Sequence, residues 1–188
     1  MTRRTHLTHL AAAAVLVLAF AAPAQAETFS GETPAASADS LKQLTAFLDS
    51  TSFVASRLEL RDIDTDPVPE LITIATAPRT RAQVRERAIQ CLSMFRDARV
   101  REAFKGMLDH NKGDKTFGLI ALSYLEAFGE DAVDDLKPFL EHKKPEVRAV
   151  VAKGFGMFGG QKGYDLLREH NRVESDARVL EAMRPFVQ

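Results

Sequence analysis

The chain has no tryptophan, two tyrosines and one cysteine, Cys91. A lone thiol forms no intrachain disulfide and no Cys-x-x-Cys pair, so stability must come from packing. Also missing are the spacings that announce catalysis: His-Glu-x-x-His, a Ser/His/Asp arrangement, a paired-carboxylate signature, or a phosphate-cradling glycine loop. The run GMFGGQKG is glycine-rich, but it follows a helical pattern rather than a strand. With a net charge of −1 the chain lacks the concentrated basic surface that nucleic acid demands. Strict apolar/polar alternation is scarce too, residues 53–60 being the one ambiguous passage, which argues against a sheet.

What is present begins with MTRRTHLTHLAAAAVLVLAFAAPAQAETFS. Arg3 and Arg4 precede an apolar run over 10–22, and Ala24-Gln25-Ala26 supplies a small-x-small cleavage site. The run falls short of the roughly 20 residues a bilayer span needs. The expectation is a signal peptide over 1–26, a mature chain starting near Glu27, and no stable membrane insertion after cleavage. An uncleaved anchor is the alternative, and a lipoprotein is disfavoured because no cysteine follows the run. The expected location is therefore periplasmic or secreted. Cleavage removes Arg3 and Arg4 and no acid, taking the net charge from −1 to −3. Residues 27–38, small and polar with Pro and Gly, read as a flexible linker.

From Asp39 onward the apolar spacing is helical. SLKQLTAFLD places Leu41, Leu44, Phe47 and Leu48 on one stripe, with Asp39 or Ser40 as N-cap, and SRLELRDI is capped by Ser56. Asp66 is the expected cap of DPVPELITIATA, with Pro67 in the first helical position. Thr80, Asp97 and Asp114 open the next three helices. EDAVDDLKPFLEH, kinked at Pro138, PEVRAVVAKGFGMFG, QKGYDLLREHN and SDARVLEAMRPF complete a set of eight or nine helices joined by short turns. Gly129 and either Gly159 or Gly160 suit left-handed helix ends.

A period runs through these helices. Aligning VRERAIQCL at Val84, FGLIALSYL at Phe117, VRAVVAKGF at Val147 and ARVLEAMRP at Ala177 gives steps of 33, 30 and 30. The intervening helices repeat as well, each closing on an acid followed by a histidine: Asp109-His110, Glu141-His142 and Glu169-His170. Two helix types alternating at a near-constant step describe a helical solenoid. The unit Pro-x-Val-Arg, then Ala, small and apolar residues, then Gly-Gly, as in PEVRAVVAKGFGMFGG, resembles HEAT repeats of the short, roughly 30-residue class. The resemblance covers residues 66–186, strongest over 147–160, weaker at Phe117, where Gly118 replaces the arginine, and at the last unit, which Pro185 interrupts. It implies an all-α fold, a right-handed α-solenoid of four to five hairpins over 66–188, with 39–65 as an N-terminal helical cap. HEAT motifs specify architecture and hardly constrain function.

The repeat physics assigns most notable residues to structure. Ala88, Cys91, Ala121, Ala152 and Gly154 occupy positions where helices approach closely, and Gly154 and Gly156 each cost about 1 kcal/mol in helix propensity that close contact must offset. Arg85, Arg148 and Arg178 share one repeat position and are expected to form an arginine–carboxylate ladder with Asp109, Glu146 or Asp176; a ligand-binding arginine row is the alternative. His110, His142 and His170 read as helix C-terminal caps, with a low-pH response as the alternative. Successive repeats stack about 8–10 Å apart, too far for the three to share one metal. Basic residues dominate 79–105 and acids dominate 126–141, an ordinary solvated surface or a bipolar face that orients a partner. The same-sign neighbours Arg81 and Arg85, and Asp131 and Asp135, call for opposite charge nearby.

The function these residues point to is a non-enzymatic exported scaffold or binding module that engages a protein partner, needs no cofactor and binds no nucleic acid. The expected contacts lie on the inner helices at Arg81, Arg85, Lys115, Arg148 and Lys153. Some short HEAT-like proteins are lyases or chaperone-like factors for tetrapyrrole attachment, which gives one alternative; structural self-assembly is another.

Overall fold

The computed structural model describes residues 37–111 and 115–187, and within them the chain is all helical, with no strand. The expected signal peptide, all but the last two residues of the expected linker, and the expected Asp114 cap lie outside the described residues. The helices are α1 (Ala38–Asp49), α2 (Arg57–Ile63), α3 (Val68–Thr76), α4 (Ala82–Leu92), α5 (Ala98–His110), α6 (Lys115–Phe128), α7 (Val133–Leu136), α8 (Pro145–Phe158), α9 (Gly160–His170) and α10 (Ala177–Met183). No helix among the described residues is long and apolar enough to cross a membrane.

Helix starts follow local chemistry. Ser56, Asp97 and Asp176 each accept a hydrogen bond from a backbone N–H in the first turn of α2, α5 and α10. Three expected starts shift. Ser37, not Asp39 or Ser40, caps α1 by accepting from the Ser40 N–H at 3.0 Å, so the last two linker residues belong to the helical body. Pro67 itself is the N-cap residue of α3, and α4 opens at Arg81 with no side-chain cap, leaving Thr80 outside. Asp66 is unavailable as a cap because both its oxygens accept from Arg99, at 2.7 and 3.0 Å. The stronger charge-assisted fork wins over a single capping bond.

Helix ends use glycine where the backbone must turn left-handed. Gly129 after α6 and Gly160 after α8 have φ of +57° and +56°. Between them, the expected kinked helix around Pro138 is broken into a 3-10 segment Gly129–Ala132, the short α7, and a second 3-10 segment Lys137–Glu141. Pro138 enters near the start of that second segment, where its missing N–H leaves no gap.

Adjacent helices α3 and α4, α5 and α6, and α8 and α9 pack together; α4 with α6, α6 with α8, and α8 with α10 also pack in next-but-one or longer steps. The core they share includes the fully buried Phe104, Phe117, Tyr124 and Phe155, each contributing about 1.5–3 kcal/mol or more by removal from water. Phe104 stacks on Tyr124 with centroids 5.5 Å apart, and Tyr124 meets the edge of Phe128 at 5.4 Å. A Cβ on Gly154 would lie 2.5 Å from Leu125 Cδ1, and one on Gly156 would enter the Phe186 ring. Close helix contact is therefore what holds both glycines in α8.

Candidate binding groove

Four helices frame a groove of about 490 Å³, a volume typical of ligand sites. Its apolar wall comes from Ile72 and Ala75 on α3, Ile89 on α4, Met107 on α5 and Ile120 on α6. Ile89 and Ile120 are fully buried, and Ile72 on α3 and Ala103 on α5 keep partly exposed apolar surface in the groove. Thr76, Arg85, His110 and Asn111 supply the polar positions.

Arg85 is the unusual member. Among the described residues it makes no ion pair or hydrogen bond through its guanidinium, although it is half-buried. Every other half-buried arginine is engaged. Arg87 donates to the carbonyls of Leu48 and Ser50 at 2.6 and 2.8 Å, closing the end of α1, and lies over the Phe53 ring. Arg99 grips Asp66 and Asp97, and Arg101 donates to Asp135 at 2.8 Å. Arg148 forks onto Glu174 at 2.7 and 3.0 Å. A half-buried cation left alone lacks the partner that would offset its lost hydration.

The other expected contact residues fall into two groups. Arg81 pairs with Asp49 at 2.6 Å, and Arg148 is held by Glu174 and by the His142 carbonyl, so both are tied internally. Lys115 and Lys153 are exposed, with no ion pair among the described residues. Lys115 directly precedes Thr116 on the groove lining.

No protein-family model, curated protein or solved structure matches this chain. Its chemistry must be read from its own residues. The expected ladder exists but uses different rungs. Arg178 meets Glu146 and Asp176, as expected for that unit, whereas Arg148 chooses Glu174 and Arg85 takes no acid. Further rungs among the described residues are Arg81–Asp49, Arg96–Asp131, Arg99–Asp66, Arg101–Asp135, Lys105–Asp135 and Lys162–Asp134, joining residues 28 to 35 positions apart. A missed signal lay in the repeated Asp-Ala-Arg-Val at 97–100 and 176–179. In both copies the aspartate caps its helix, and the arginine folds back onto it and reaches an acid 33 or 32 positions upstream.

The basic and acidic segments largely answer each other, since Arg96, Arg101 and Lys105 lie against Asp131 and Asp135. Burial works to raise the Asp135 pKa, but hydrogen bonds from Tyr124 and Arg101 more than offset it and leave the carboxyl below its ordinary range. Tyr124, fully buried, has its phenol pushed well up by burial and by the facing Asp135. Glu174, missed in the sequence, is a second hub. The Arg148 fork holds its carboxyl down at about 2, working against burial, with the N–H groups of Asp176 and Ser175 and the His170 ring adding to the effect.

The histidines divide. His110 Nδ1 donates to the Gly106 carbonyl at 2.7 Å, the expected C-terminal cap. His142 instead accepts from the Lys144 N–H, and His170 meets Glu174 at 3.1 Å, because a nearby carboxylate outcompetes a helix carbonyl. Cys91 sits fully buried, and burial pushes its thiol up to about 12, so it is inert as a nucleophile in the folded chain. Among the described residues no group of three or more His, Cys, Asp or Glu side chains is placed to hold a metal ion.

Proposed function

We propose that the chain is an exported, non-enzymatic binding module: a short right-handed α-solenoid of four to five HEAT-like hairpins that engages a protein partner in the cell envelope. The next-but-one packing of α4, α6, α8 and α10 supports the stacked-hairpin reading, as do ion pairs joining residues about one repeat apart. One observation carries the binding reading. Among the described residues Arg85 stands half-buried and unpaired in the wall of an apolar groove, whereas the other half-buried arginines there all have partners. Lys115 and Lys153, exposed cations outside the internal network, are the further contact candidates.

The test is site-specific photocrosslinking in intact cells of the native host. A photoreactive residue at Thr76, on the groove, is expected to give a discrete protein adduct that Arg85→Glu abolishes. The same residue at Glu181, exposed on α10, is expected to give none. Identical patterns from both positions, or no adduct from Thr76, would remove the reading.

A further inference from the structure

The groove's polar atoms narrow the kind of partner. Among the described residues Thr76 Oγ1–H is engaged with the Ile72 carbonyl at 2.7 Å and His110 Nδ1–H with that of Gly106 at 2.7 Å, while Asn111 gives one of its two Nδ2 hydrogens to the Met107 carbonyl at 2.7 Å. What these residues retain is acceptor capacity at Thr76 Oγ1 and Asn111 Oδ1, beside the second Asn111 N–H. Arg85 offers the unengaged charged donors, five N–H groups on a fixed cation. The groove therefore asks for one anion, a few N–H donors and an apolar body.

A peptide segment passing through without an acidic side chain would bring no anion and would leave the half-buried Arg85 charge unmatched. A chain end differs, because its last carbonyl oxygen is part of a carboxylate, matched to the Arg85 fork. An acyl carboxylate supplies the anion and the apolar body but no N–H for the waiting acceptors.

We propose that the groove captures the free C-terminus of a partner polypeptide: the α-carboxylate on Arg85, the final apolar side chain against Ile72, Ala103 and Met107, and backbone N–H groups on Asn111 and Thr76. This rests on the groove being the partner site and names what that partner presents.

The test measures binding of fluorescent probes to the full-length chain. The probes are an N-labelled apolar hexapeptide ending in leucine with a free carboxylate, and the same peptide with a C-terminal amide. Unlabelled dodecanoate, below its micelle concentration, serves as competitor. The acid is expected to bind at least about tenfold tighter than the amide, the worth of one charge-assisted hydrogen-bonded contact. Arg85→Gln is expected to erase that preference. Gly106→Leu fills the groove, where a Cβ meets nothing within 4 Å, and is expected to abolish binding of both peptides while the helical spectrum is unchanged. Equal binding of acid and amide, no binding of either, or a preference surviving Arg85→Gln overturns the proposal. Dodecanoate competing as well as the acid peptide also overturns it, in favour of an acyl ligand. A Thr76 adduct in cells combined with no acid preference would leave the partner-binding module standing and remove only the chain-end assignment.

Discussion

A single methyl group tests the packing at residue scale. At Gly163 a Cβ would lie 2.5 Å from the Phe155 backbone oxygen, an atom that cannot step aside, so Gly163→Ala is expected to destabilise by about 1–3 kcal/mol. Gly106 lies inside α5 facing open space, and Gly106→Ala is expected to stabilise by about 0.5–1 kcal/mol through helix propensity. Urea melts of the two variants should move in opposite directions. Glu174 makes the pH prediction at this scale. Its carboxyl titrates at about 2 in the fold against 4.5 ordinarily. The folded form thus holds fewer protons there than the unfolded chain. The stability this contributes is fully present above about pH 4.5 and is lost as pH falls toward 2. Melting temperatures between pH 6 and 2 should fall steeply in the native chain and less steeply in Glu174→Gln, which starts from a lower value because Arg148 has lost its charged partner.

At the scale of elements, periodic apolar spacing was enough to place most helices, because burial on one face overrides weaker local preferences. Leu44, Leu48, Val84, Phe104 and Val151 lie inside as their spacing requires. Boundaries were less legible where side chains had a better offer elsewhere. Asp66 reads as a cap until Arg99, 33 positions away, claims it. The segment after α6 reads as one kinked helix, yet Gly129 and Pro138 together leave only Val133–Leu136 α-helical. The groove was half legible: Arg85 stood out by its repeat position, but the sequence could not show that it would be the half-buried arginine whose guanidinium finds no partner among the described residues. Asp135 joins three elements by accepting from Tyr124 on α6 and Arg101 on α5 while sitting on α7. Asp135→Ala orphans the phenol of a fully buried tyrosine and is expected to cost about 1–3 kcal/mol. Tyr124→Phe combined with Asp135→Ala should cost less than the two single changes added, which a double-mutant cycle in urea would measure.

At the scale of the whole molecule, stability depends on neighbours covering neighbours. Ending the chain after Val173 removes Glu174, α10 and Phe186, leaving Arg148 without its carboxylate and opening the side of α8 where Gly156 meets Phe186. The expected outcome is a fall in midpoint and a broadened urea transition, since α8 and α9 would open before the rest. A transition of unchanged sharpness and midpoint would show that the last helix is dispensable. Charge at this scale was read in the sequence as two opposed blocks. Their mutual pairing was hidden because it depends on which turns of which helices meet. Cys91, sealed in the core, makes the protein its own clock. The chain holds no other sulfhydryl, so a reagent such as iodoacetamide can mark it only in those moments when the interior breathes open. The labelling rate then counts excursions from the native state directly, with no engineered reporter.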